Sequence, residues 1–111
     1  MRHWRTFAVI FIETSYFTQD VLELLNDEEY ARLQAWLAVN PDAGDLIQDT
    51  GGLRKVRWAA GGKGKRGGVR VIYYDARDVH QIRMLLIYRK GVKDDLTAKE
   101  KAILRSINAQ W

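Results

Sequence analysis

The run from Thr50 to Tyr74 carries seven cationic side chains, Arg54, Lys55, Arg57, Lys63, Lys65, Arg66 and Arg70, and no acidic one. Charges gathered this densely repel one another, and a fold gains nothing from assembling them unless a negatively charged partner neutralises them. The chemistry they suit is the recognition of a polyanion.

The spacing divides the set. From Leu53 to Ala60 the pattern reads as a strand in which Val56 and Trp58 share the core-facing side, which sends Lys55 and Arg57 together to the other. Arg70 falls on the next strand, on the same face as Ile72 and Tyr74, where a charge needs a partner or an opening to water. Lys63, Lys65 and Arg66 belong to GGKGKRGG, residues 61–68, between the two strands. That segment lacks the spacing of a Walker loop, and β-branched and aromatic residues follow it rather than a helix. Two readings stay open for it: a hairpin connection whose glycines permit positive φ and whose lysines provide solubility, or a loop that wraps a phosphodiester backbone.

Other chemistries find little support. His3 and His80 stand alone, without a second histidine or a carboxylate at ligand spacing, so no metal site is expected. Asp94 and Asp95 precede a helix start, where the helix dipole favours acids. No Ser-His-Asp set is legible, and with no cysteine there is neither a thiol nucleophile nor a disulfide.

The net charge of +4 conceals an asymmetry. Residues 1–49 hold three basic and nine acidic side chains, and residues 50–111 hold fifteen and five, so the halves carry −6 and +10. The 111 residues, 47% of them hydrophobic, suit one domain spanning residues 1–111 with one core. The apolar stretch Phe7 to Ile12 is too short to cross a bilayer and lacks a cleavage signal, so a cytoplasmic chain is expected.

The elements that must position the cations follow from periodicity. Phe7 to Ile12 predicts a first strand covered on both faces. Thr18 or Asp20 is placed to cap a short helix through Leu25. Asn26 with Glu29 predicts a capping box opening a second helix, with Leu25 and Tyr30 as its hydrophobic staple. Tyr30, Leu33 and Leu37, with Trp36 beside them, form its inward stripe, which ends at Asn40-Pro41. Strands are predicted over Val69 to Tyr74 and, centrally placed, over Ile82 to Tyr88, with a turn near Asp75 to Asp78. Thr97 and Glu100 predict a final capped helix with Ile103, Leu104, Ile107 and Trp111 inward. The fold class is α+β: a small, mostly antiparallel sheet with helices packed on one face and the other face free to bind.

The segments LNDEEY, NPDAGD, GDLIQDTGGLRKVRWAAGGKGKRGGVRVIYY and LLIYRKGVKDDLTAKE resemble the HigB-type branch of the RelE/ParE toxins across nearly the whole chain. The resemblance implies a RelE-like fold and a bacterial type II toxin, a ribosome-dependent endoribonuclease that cuts translated mRNA. It also implies partners: the ribosome with its mRNA, and a HigA-like, DNA-binding antitoxin, with no membrane and no cofactor. Matched strand to strand, Lys55, Arg57 and Arg70 take the family's basic catalytic positions, and Lys65 and Arg66 belong to the HigB-type loop signature. A tyrosine and a late arginine used in RelE are not matched, the former position being occupied by Thr97 and the latter falling near Gly91 or Lys93.

The implied reaction is metal-free attack of the ribose 2′-oxygen on the adjacent phosphorus. Lys55 is the preferred proton acceptor, because neighbouring cations favour a neutral amine whereas arginine stays protonated. Arg57 and Arg70 would hold the phosphate oxygens, and Lys65 or Arg66 would protonate the leaving 5′-oxygen. Arg54, Lys63, Lys90 and Lys93 would grip ribosomal or messenger phosphates without reading sequence. Rival readings are a ParE-like gyrase inhibitor, disfavoured by the retained basic set, and a noncatalytic RNA-binding or ribosome-binding protein.

Overall fold

The computed structural model describes residues 3–6, 9–59, 68–93 and 95–111, with side chains from residue 9 onward. Six strands form one sheet in the order β1-β2-β6-β5-β4-β3. They are β1 (His3–Thr6), β2 (Val9–Glu13), β3 (Asp45–Leu46), β4 (Arg54–Trp58), β5 (Val69–Ala76) and β6 (Gln81–Arg89). Among the described residues only the β2–β6 pairing is parallel. The helices are α1 (Ser15–Leu24), α2 (Asp27–Val39) and α3 (Ala98–Ala109). Among the described residues no helix is long and apolar enough to cross a membrane.

The α+β class and the mostly antiparallel sheet agree with the sequence reading, and the helices divide between the two faces. Phe17 and Val21 of α1 and Tyr30, Leu33 and Leu37 of α2 pack with Phe11, Val56, Val71, Tyr73, Met84 and Ile87 on one side. Leu104 of α3, with Leu96 and Trp111, covers Leu53, Ile72, Leu85 and Tyr88 on the other. The expectation of helices on one face alone is therefore corrected: the second face is apolar over part of its area, and that part must be covered to leave water.

Most local expectations hold where the signal is local. The capping boxes Asn26/Glu29 and Thr97/Glu100 both form, and α2 ends at Val39 with Asn40 as its cap. The first strand begins at Val9 and runs on to Glu13, with Phe7 and Ala8 outside the described residues, and β1 beside it was not foreseen. Thr14, not Thr18 or Asp20, caps α1. Its Oγ1 accepts from Phe17 N–H at 3.0 Å and donates to Leu85 C=O at 2.7 Å, a choice made by a partner 71 residues away. In α3 the inward stripe is Leu104, Asn108 and Trp111, and Ile103 points outward. Asn108 Oδ1 accepts from Arg83 at 3.1 Å, and the Arg83 guanidinium lies 5.6 Å from the Tyr74 ring centre and 5.4 Å from that of Trp111. Arg83, in the middle of the central strand, thus fastens α3 to the sheet.

A buried phenol sets the α2–β4 connection. Tyr73 Oη accepts from Gly44 N–H at 2.9 Å and donates to Pro41 C=O at 2.8 Å. Gly44 passes so close that a Cβ there would lie 2.9 Å from both Lys55 O and a Tyr73 ring carbon. Tyr73→Phe leaves a buried N–H and a C=O without partners and is expected to cost about 1–3 kcal/mol in urea unfolding.

Burial holds the Tyr73 hydroxyl above the usual value of 10.0, with the Gly44 N–H and the Arg54 charge opposing it more weakly. Burial does the same for Tyr88, opposed by Arg70. Because both folded-state values are raised, the unfolded chain releases these protons first as pH rises. The stability they contribute is full below about pH 10 and is lost as pH climbs through the folded-state values. Unfolding free energy should fall as pH rises above about 10, and less so in Tyr73→Phe. An unchanged pH dependence in that variant would remove Tyr73 from the cause.

Candidate functional site

The cations collect on the α3 side of the sheet, beside the start of that helix. Alternation along β4 turns Lys55 and Arg57 towards the α3 face while Val56 joins the opposite core and Trp58 stacks obliquely on Trp36, centroids 5.5 Å apart. Arg57 sits opposite Arg70 on β5, and Arg70 opposite Tyr88 on β6, so these three side chains form one row across three strands. With neighbouring strands about 4.8 Å apart, the row spans roughly 10 Å.

A cleft of about 500 Å³ opens over this row, lined by Lys55, Arg57, Arg70, Lys90 and Lys93, with Asp45 at its edge. Lys90 and Lys93 arrive from the turn that follows β6. Gly91 takes φ +90 there, in the region that favours glycine, and Val92 N–H closes the turn on Arg89 C=O at 3.2 Å. Five cations thus face one space from two strands and one turn. Such an arrangement can hold tetrahedral oxyanions and stabilise charge that builds on them.

Five of the nine residues singled out from the sequence meet in this cleft. Arg54 does not: it shares the face of Val56, and its guanidinium donates to Asp42 C=O at 3.1 Å and Gly44 C=O at 2.8 Å, tying down the connection that Tyr73 also holds. Lys63, Lys65 and Arg66 lie outside the described residues.

Beside the cleft, paired with or packed under its lysines, stand acids and a phenol that sequence reasoning missed. Asp95 Oδ1 stands 3.5 Å from Lys55 Nζ, so a proton-accepting role for Lys55 requires this ion pair to be released first. Glu100 pairs with Lys93, and that hydrogen bond, with the Thr97 N–H, holds its carboxyl below the usual carboxylate range. The Lys93 ammonium lies 5.5 Å from the centre of the Tyr88 ring. The acids before α3 carried the bland signal of a helix start, although Asp95 turns across to the sheet.

The cause of the missed phenol is a β-bulge. Ile72 pairs with Leu86 but Tyr73 with Met84, so Leu85 is the extra residue. Counting by twos from Met84 would send Tyr88 to the α1/α2 side; the bulge returns it to the face of Arg70. No model of a known protein family matches this chain.

Proposed function

We propose that this chain is the toxin of a bacterial type II toxin–antitoxin system, a HigB-like endoribonuclease that cuts translated mRNA on the ribosome without a metal ion. The observation that carries the reading is the convergence of Lys55, Arg57 and Arg70 on one open cleft, with Lys90 and Lys93 at its rim. A core position offers no reason to hold three cations in neighbouring rows, and an RNA backbone does.

In this reading Arg57 and Arg70 bind the two nonbridging oxygens of the scissile phosphate. Lys55, released from Asp95, accepts the 2′-hydroxyl proton. The 2′-oxygen forms its bond to phosphorus as the bond to the 5′-oxygen breaks, and a proton supplied by Lys65 or Arg66 completes the departing 5′-hydroxyl. The other product is a 2′,3′-cyclic phosphate. Charge grows on the phosphate oxygens in the transition state, where fixed guanidinium donors act most strongly. The remaining basic surface meets ribosomal phosphates, and a cognate antitoxin of complementary charge masks the toxin.

The test is brief induction in cells followed by mapping of RNA 5′ ends, for the wild type and for Arg70→Ala. Growth arrest with new 5′-hydroxyl ends inside translated regions, absent in the variant, is the expected result. DNA damage with unchanged RNA ends would point instead to gyrase, and intact transcripts with ribosome association would leave only binding.

A further inference from the structure

The start of α3 supplies counterions to two lysines of the cleft, Asp95 to Lys55 and Glu100 to Lys93. Beneath the second pair lies Tyr88, 6% exposed, whose hydroxyl is buried and has no hydrogen-bond partner among the described residues. A buried phenol ordinarily finds a partner, so one left without it in the free protein marks a place where a partner arrives later. Its neighbour across the sheet is Arg70, the central cation of the row.

We propose that the Tyr88 hydroxyl is a further phosphate-binding group, covered in the free protein by the Lys93–Glu100 ion pair and uncovered when a phosphate draws Lys93 to itself. The proposal rests on the reading above and adds a contact to the same phosphate. The latch can open without unravelling α3, because Glu100 divides its work between two oxygens. Oε2 takes Lys93, while Oε1 accepts the Thr97 N–H at 2.9 Å and completes the capping box. The pair is partly exposed, 27% and 32% for the two side chains, so it contributes little to stability and yields readily to a stronger anion. A phenol is protonated at neutral pH, as a donor must be, and burial only strengthens that state. Once Lys93 leaves, the hydroxyl and Arg70 face the same oxyanion, the one through an O–H and the other through a charged fork.

The experiment measures the affinity of the full chain for two probes, a short 2′-O-methyl RNA that cannot be cleaved and inorganic polyphosphate, together with thermal stability. Tyr88→Phe should keep or raise the melting temperature, since it removes a group with no partner, yet weaken both probes about tenfold. Glu100→Gln, whose amide side chain can still cap, should tighten both, by up to about fivefold. Unchanged affinity in Tyr88→Phe, or a clear loss of its thermal stability, overturns the proposal, because the hydroxyl would then be idle or structural. Wild-type binding to polyphosphate but not RNA would overturn the RNA reading while the Tyr88→Phe comparison still decides this one. Binding to neither overturns both.

Discussion

On the proposed nuclease reading, replacing Arg70 by alanine is expected to slow RNA cleavage roughly a hundredfold to a thousandfold, about 2.7–4 kcal/mol of transition-state stabilisation, with the fold intact. Arg70 occupies the middle of the row, between Arg57 on one strand and Tyr88 on the other, the place from which it would face the proposed phosphate. The contacts that hold β5 in the sheet belong to Val69, Val71, Ile72 and Tyr73, all buried and all retained. Removing the guanidinium also relieves its repulsion with Arg57, which stands directly opposite. The loss should appear in the single-turnover rate on ribosome-bound mRNA more than in the concentration needed for half-maximal rate, because the contact strengthens as charge develops. Arg70→Lys should recover only part of the activity, since an ammonium is a point charge without the planar fork. A variant that melts like the wild type and cleaves at the same rate would deprive the basic-site mechanism of its centre.

Binding to single-stranded RNA should weaken steeply with salt. If all five cleft cations replaced counterions on the phosphates, the slope of log K against log salt would be about −3.5, a loss of about a hundredfold between roughly 50 and 200 mM. At least two of the five are already held, by Asp95 and Glu100, which take up cations when released, so the wild-type slope should be shallower than that limit. Asp95→Asn combined with Glu100→Gln should tighten binding at low salt and steepen the slope towards the larger value. Anisotropy titrations with a labelled oligonucleotide across a salt series measure both. A flat response in the wild type would contradict the electrostatic account, and equal slopes in the two proteins would contradict the counterion role of the acids.

How far these residues were legible from the chain depends on the distance over which each signal acts. Asn26 with Glu29, and Thr97 with Glu100, announce helix starts because a capping box closes within four residues. Lys55 and Arg57 could be placed together because strand alternation needs nothing beyond the strand itself. Arg70 was suspect for the same reason, as a charge in line with Ile72 and Tyr74. The cap of α1 could not be chosen this way, since Thr14 is selected by the carbonyl of Leu85 as well as by the Phe17 N–H.

That Leu85 carbonyl belongs to the residue at which β6 bulges, and the bulge turns Tyr88 towards the cationic row. The local pattern accordingly established the capped helices, the alternating strands and the cations as a set seeking a polyanion. Which cations share a space was settled by sheet register. Arg54 falls on the opposite face by the same alternation that pairs Lys55 with Arg57, whereas Lys90 and Lys93 were brought in by the turn at Gly91, and two lysines were matched with Asp95 and Glu100. Pairings of this kind join residues 7 to 40 positions apart, and their energies depend on a packing that no short window of the chain contains.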